Sequence, residues 1–474
     1  MRHLMTRSMN RPIGPLPAAS ILCLTLLALC ASTALAAPSA NNTAKDAEVV
    51  TWAEHVAPLL FENCVTCHRP GQTAPMSLLS YSEARPWAKS IRQVTSERIM
   101  PPWFANPAHG EFVEDPTLTE GEIDLLGRWV AAGAPAGDLE KAPEPPTFDS
   151  DWGLGEPDAV FAAPAYEVAD EVEDHYQWLE VENPLDEERW ISAIEVKPGF
   201  VEAVHHQLTY LAPPEATIES VQSGAGSLDL TFVGGWGPGV APLEFAPNHG
   251  MRMPAKSKLF FQMHYHKTPG PGSGGIDQTS IGLHFHDEKP ENVVTTLWLV
   301  DPILDIPPGE ANYASGSSFV TPHEAVLFDY TPHMHLRGKS MKFTAEYPDG
   351  TQEVLLDVPN YDFNWQLTYT PVEPKVIPAG TTIRVDASFD NSADNPSNPD
   401  PTARVRFGEK TTDEMMVGFI HYTFTDPAQQ ADMPSFIVPD RMKAQFEQIE
   451  KMREQQKKQK AEAEGESGES GDGR

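Results

Sequence analysis

A chain of 474 residues has room for roughly two to four domains, and 40% hydrophobic residues supply cores for them, which excludes a wholly disordered protein. A formal charge of −34, from 68 Asp and Glu against 34 Lys and Arg, argues against nucleic acid and anionic lipid as partners and favours a basic or neutral one.

Residues 1–36 read as a secretory signal. Arg2, Arg7 and Arg11 make a basic start, residues 21–29 are apolar but too few to span a bilayer, and Ala34-Leu35-Ala36 is a cleavage site. The mature chain is therefore expected in the periplasm or outside the cell, with no stable membrane span. Cys23 and Cys30 leave with the signal, so only Cys64 and Cys67 remain. No disulfide framework is expected, and stability must come from cores and metals.

After a polar leader (37–50), residues 51–137 read as a small all-α domain. Helical stretches are expected over 52–63 and 81–97. A third is opened by a Thr119–Glu122 capping box, with Ile123, Leu125, Leu126, Trp129 and Val130 on or near one face, and is stopped by Gly133-Ala134-Pro135. The first stretch delivers Cys64-Val65-Thr66-Cys67-His68. Two thiols and an imidazole at this spacing form the attachment site of one covalent c-type haem, with His68 as the iron's proximal ligand. A zinc site would need a second Cys or His pair nearby, and none is present; a redox disulfide is the other alternative. Met100, held between a helix end and Pro101-Pro102, is the leading candidate for the opposite ligand; Met76, His55 and His109 compete. Trp87, Trp103 and Trp129 are candidate haem walls or ordinary core residues. Residues 138–150 are an acidic, Pro-rich linker.

The texture then becomes all-β. Alternating runs rich in Val, Phe, Tyr and Thr predict strands near 190–196, 205–211, 258–266, 281–286, 342–347 and 382–389. About 300 residues exceed one ordinary sandwich, so two sandwich or jelly-roll domains are expected, 151–289 and 290–440. Residues 441–474 read as a charged helical tail ending in a low-complexity, disordered run.

Histidines recur in pairs in this β region: His205-His206, His264 with His266, His284 with His286, and His333 with His335. Residues two apart share one face of a strand, so two imidazoles can hold one metal, copper or zinc by their chemistry. Adjacent His205 and His206 face opposite ways in a regular strand. They can share a metal only at a strand end or a distortion. A thioether would tilt the choice to copper, and Met415 and Met416 enter a strand nearby.

The ordered set HHQLTYL, FQMHYH, PHMHLRGK and TDEMMVGF resembles the copper type II, ascorbate-dependent monooxygenases, the family of the peptide-amidating and dopamine-hydroxylating enzymes, over residues 150–440. Residues 52–136, with CVTCH, IMPPW and RWVAAGAP, resemble a class I cytochrome c. The first resemblance implies two consecutive eight-stranded jelly-roll-like domains, each bringing one copper. It assigns His205, His206 and His264 to an electron-transfer copper. His333, His335 and Met415 would hold the catalytic copper, at which dioxygen and a C–H bond react. Met415 is preferred to Met416 because it follows Asp-Glu as the family methionine does, and because alternation sends the two to opposite faces. His266, His284 and His286 have no clear family role; they read either as groups supporting the ligands or as ordinary polar residues, the latter preferred. Positions that clamp a substrate carboxylate in the amidating members are Thr331, Val417 and Phe419 here, and the family's disulfides are missing. A peptidyl-glycine substrate is therefore not expected; a small, less polar organic molecule is.

The resulting expectation is a multidomain, copper-dependent monooxygenase. An outside donor would pass electrons to the haem, then to the first copper, then to the second. The main alternative is a non-catalytic haem and copper electron-transfer or copper-binding protein of the cell envelope. A structural module of an envelope complex is the weaker third reading.

Overall fold

The computed structural model describes residues 49–148, 152–222, 230–433 and 436–437. The expected signal, part of the linker and the charged tail lie outside these residues.

The helical region matches its pattern closely. Trp52–Val56 continues as Ala57–Asn63 and delivers Cys64. Tyr81–Ala84, Arg85–Trp87 and Ala88–Ser96 form the second stretch, and Glu120–Ala131 the third. Thr119 Oγ1 accepts from the Glu122 backbone N–H, and the Glu122 carboxylate accepts from the Thr119 backbone N–H, which caps two donors the helix would otherwise leave open. These elements close on a core containing Trp52, Leu60, Leu126 and Trp129, with the two indoles 6.1 Å apart. Trp87 is exposed, and Trp103 packs against the second β core rather than this one.

The remainder is mostly β-sheet, in two sandwiches. The first sets the four-stranded sheet containing Asp174–Glu182, Lys258–His266, Val204–Ala212 and Thr231–Trp236 against a large second sheet. The second sandwich sets Tyr313–Val320, Thr382–Phe389, Gly338–Glu346 and Gln352–Val358 against the same large sheet. That sheet runs through both halves without a break, because His249–Met253 pairs in parallel with Asn292–Val300, which pairs in turn with Val417–Phe424.

Two strands are buried on both faces, and this positions the site. In Lys258–His266, Leu259, Phe261, Met263 and Tyr265 enter the first core, while Phe260, Gln262 and His264 alternate to the other face. In Val417–Phe424, Ile420, Tyr422 and Phe424 fill the second core, while Val417 and Phe419 join Phe260, Trp178, Tyr210 and Phe232 in a separate apolar cluster. That cluster is a seam between the sandwiches. Polar side chains on the seam faces are therefore removed from water although they lie outside either core. No described helix is long and apolar enough to cross a membrane.

Candidate metal centre

His205, His206 and His264 converge. Each offers a ring nitrogen, and the three nitrogens lie within 4.8 Å of one another. The local cause is a β-bulge: Val204 pairs with Tyr265 and His206 with His264, so the register slips across His205. The extra residue bends the strand and brings both neighbouring imidazoles to one side. This is the distortion that the adjacent pair needed.

All three rings are buried, and their hydrogen bonding is incomplete. Both ring nitrogens of His205 and of His206, and Nδ1 of His264, have no protein hydrogen-bond partner. Each such buried group costs about 1–3 kcal/mol unless something satisfies it. His264 Nε2 is held by Asp174 Oδ1 at 2.6 Å, with Thr411 Oγ1 at 3.2 Å, and Thr411 also donates to Asp174. The Asp174 carboxylate fixes Nε2 as the donor and turns the Nδ1 lone pair toward His205 and His206. Carboxylate-held histidine is the usual support of a metal ligand. Tyr176 stacks on His264 at 4.1 Å and Phe363 on His205 at 4.6 Å.

Burial, followed by the neighbouring imidazoles, pushes His205 down to about 3 and His206 well below its ordinary value. Burial also lowers His264, against the pull of Asp174. Burial alone would raise Asp174, but hydrogen bonds from His264, His266 and Thr411 hold it well below the carboxylate range. The rings are thus neutral, with lone pairs ready for a metal ion. The donor set fits copper or zinc.

His333 and His335 form the second set, with ring centroids 5.3 Å apart. Thr331–His333 pairs with Val417–Phe419, His333 opposite Val417 and Thr331 opposite Phe419. Met334 between the histidines turns into the second core and is fully buried. Its backbone is clamped by Tyr361, which donates to the Met334 carbonyl at 2.7 Å and accepts from its N–H at 3.1 Å. His333 Nδ1 donates to Gln366 Oε1 at 2.6 Å and His335 Nδ1 to the Asp413 carbonyl at 3.3 Å, which leaves Nε2 of each ring as the free lone pair. Buried Glu414 accepts from the backbone N–H of His335, Arg337 and Met415, tying the histidine loop to the methionine segment. Burial brings His333 down to about 4 and His335 well below its usual value.

Met415 is half-buried in the seam cluster with Val417 and Phe419, and the Phe419 ring is 6.3 Å from His333. Met416 is fully buried in the second core. Alternation therefore separates the two methionines, with Met415 in the seam cluster and Met416 in the second core. His266 lies closer to the first set than expected, its ring 5.7 Å from His205 and its Nδ1 3.6 Å from Asp174. His286 instead bonds the His249 carbonyl, away from the seam. Asp174, Thr411, Phe363, Gln366 and Glu414 had no signal in the sequence beyond Glu414's adjacency to Met415.

In the helical region, Cys64 and Cys67 are free and part-buried on the turn after Asn63. His68 Nδ1 donates to the Met76 carbonyl at 3.2 Å, which leaves Nε2 with its lone pair. A c-type haem fits this arrangement of two thiols and an oriented imidazole. His55 Nδ1 is engaged at the helix start by the Thr51 backbone N–H.

No family model matches the chain. No curated protein matches it either. Among solved structures, it is similar to the major capsid protein P2 of bacteriophage PM2, at 8% identity and a TM-score of 0.24, over 56% of this chain and 97% of that one. It is also similar to the top component of cowpea mosaic virus, at 8% identity and a TM-score of 0.26, over 56% and 94%. Likenesses this weak carry no functional argument.

Proposed function

We propose that this chain is a copper-dependent monooxygenase that hydroxylates a C–H bond of a small apolar organic molecule, with electrons entering through a fused c-type haem. The observation that carries the reading is the convergence of two separate histidine sets on one buried seam, with both ring nitrogens of His205 and His206 and Nδ1 of His264 left without a hydrogen bond.

His205, His206 and His264 would hold one copper, and His333, His335 and Met415 the other. Copper would supply one-electron redox chemistry and activation of dioxygen. The soft sulfur of Met415 favours Cu(I), which sets the second site apart from the all-imidazole first. Asp174 orients His264 and adds negative charge beside the first set. The Gln366 and Asp413 carbonyls hold the tautomers of His333 and His335. Phe363 covers His205 and lies 6.0 Å from His335, shielding both sets from water. Thr331, Val417 and Phe419 give the seam an uncharged wall, which supports an apolar substrate over a carboxylate.

In the helical region, Cys64 and Cys67 would carry the haem and His68 would ligate its iron. Met100 would be the iron's other protein ligand, and the Met76 carbonyl would hold the orientation of His68 through Nδ1. The overall reaction would consume one dioxygen, two electrons and two protons for each C–H bond converted to an alcohol, with the second oxygen atom released as water.

The test is dioxygen uptake by the copper-loaded full chain, given a reductant and a panel of apolar organic compounds. Uptake matched by a hydroxylated product, and lost in the His333→Ala/His335→Ala chain, supports the oxygenase. Copper that cycles between oxidation states without uptake in any mixture supports the electron carrier instead.

A further inference from the structure

The geometry points to residues 103–113 as a docking arm that delivers electrons from the haem domain to the His333 and His335 set first, through Trp103 and Tyr369. This rests on the haem and copper reading above. It reverses the order expected from the sequence, in which the His205, His206 and His264 set is the entry point.

The arm leaves the helical region directly after Met100-Pro101-Pro102 and lies on the second sandwich. Asn106 donates from its backbone N–H to the Asp357 carbonyl and from Nδ2 to Asp357 Oδ2, both at 2.8 Å. Phe112 bridges to Pro371, with Val113 N–H on the Thr370 carbonyl and Val372 N–H on the Glu111 carbonyl. Trp103, Phe112 and Tyr369 form one aromatic cluster, with the Trp103 and Tyr369 centroids 4.8 Å apart. Tyr369 is almost fully buried. An indole that a haem wall or helical core would use is thus spent on a different domain.

From Tyr369 the chain leads straight to the second set. Tyr369 exchanges two backbone hydrogen bonds with Tyr330, at 3.0 and 2.9 Å. Thr368 and Thr331 are joined through their hydroxyls at 2.8 Å. Gln366 then accepts from His333 Nδ1 at 2.6 Å. Residues 366–369 and 330–333 are therefore cross-linked along their length, ending on an imidazole proposed to bind copper. Trp103 sits three residues from Met100, the proposed iron ligand. The step is a single-electron transfer: ferrous haem becomes ferric as cupric copper becomes cuprous, and no proton or bond is exchanged.

The test reduces the haem of the oxidised, copper-loaded full chain with a radiolytic pulse in the absence of oxygen, and follows the ferrous band as it decays. Iron content, copper content and near-ultraviolet circular dichroism are recorded for every variant. Trp103→Leu and Tyr369→Leu are expected to slow the decay by about tenfold or more, Trp103→Phe by less, and His205→Ala/His206→Ala hardly at all. Asn106→Ala, which loosens the arm without entering a core, is expected to slow it with the metals retained. Decay unchanged in Trp103→Leu, Tyr369→Leu and Asn106→Ala, or abolished in the His205→Ala/His206→Ala chain, would overturn the route while leaving the cofactor reading intact. A wild-type chain that binds neither haem nor copper would overturn both.

Discussion

His206 and His333 face each other across the seam between the two sandwiches, their ring centroids 6.0 Å apart and their planes nearly perpendicular. One belongs to each histidine set, so the sets share a single desolvated space. In the proposed function Met415 would distinguish them chemically. Leu fills a Met site at little cost in packing, so Met415→Leu is expected to fold normally, within about 1.5 kcal/mol of the parent. It should keep copper on His205, His206 and His264 and lose substrate-coupled dioxygen uptake. Copper analysis beside an oxygen electrode decides this; a Met415→Leu chain with undiminished turnover would remove the thioether from the mechanism.

Asp174 acts on the first set through His264. Asp174→Asn keeps the shape but weakens the hold on Nε2 and removes the charge. Losing such a supporting carboxylate typically costs about 10–100-fold in metal affinity. Competition with a chelator of known copper affinity should show that loss, and Thr411→Val a smaller one.

The five seam histidines are expected to make the metal-free protein acid-sensitive. Their ordinary value is 6.5, and in the fold burial takes His333 to about 4 and His205 to about 3, with His206, His264 and His335 also lowered. Below pH 6.5 the unfolded chain takes up protons that the folded rings refuse, so stability falls as pH falls from there toward 4. Each ring contributes at most about 1.4 kcal/mol per pH unit, and the rings titrate as a coupled group. Urea unfolding of the metal-free chain between pH 7 and 4.5 should show the decline, and His333→Gln should flatten it. A pH slope that His333→Gln leaves unchanged would mean that this ring is already open to solvent.

The helical region has its own stability test. Trp129 is fully buried against Trp52, and its Nε1 donates to the Pro135 carbonyl at 3.1 Å. Trp129→Ala should cost about 3–5 kcal/mol through the cavity and the lost contacts. Thermal unfolding followed by tryptophan fluorescence measures it.

What was legible in the sequence was what period and spacing encode. The strands at Lys258–His266 and Thr382–Phe389 fall where alternation put them, and the Thr119–Glu122 box starts its helix as written. The grouping of His205 and His206 with His264, and of His333 with His335, came from the family resemblance in motif order; the pairing of the strands that joins the first three lies far apart in the chain. The bulge at His205 was implied only by the awkwardness of two adjacent ligands. Contacts across the fold were not legible. Asp174 meets His264 through strand pairing, Gln366 reaches His333 from 33 residues away, and Thr411 crosses the seam. Trp103 was left undecided between haem wall and core for the same reason: its neighbour Tyr369 is distant in the chain, and nothing local says which core an indole will join.

The most direct measurement is the metal content of the copper-loaded, mature full chain, taken with copper X-ray absorption in the reduced state. The account predicts one iron and two coppers per chain, with one sulfur scatterer shared between the coppers that disappears in Met415→Leu. A chain that binds no copper, or binds it undiminished when His206 and His333 are both replaced by alanine, would contradict it.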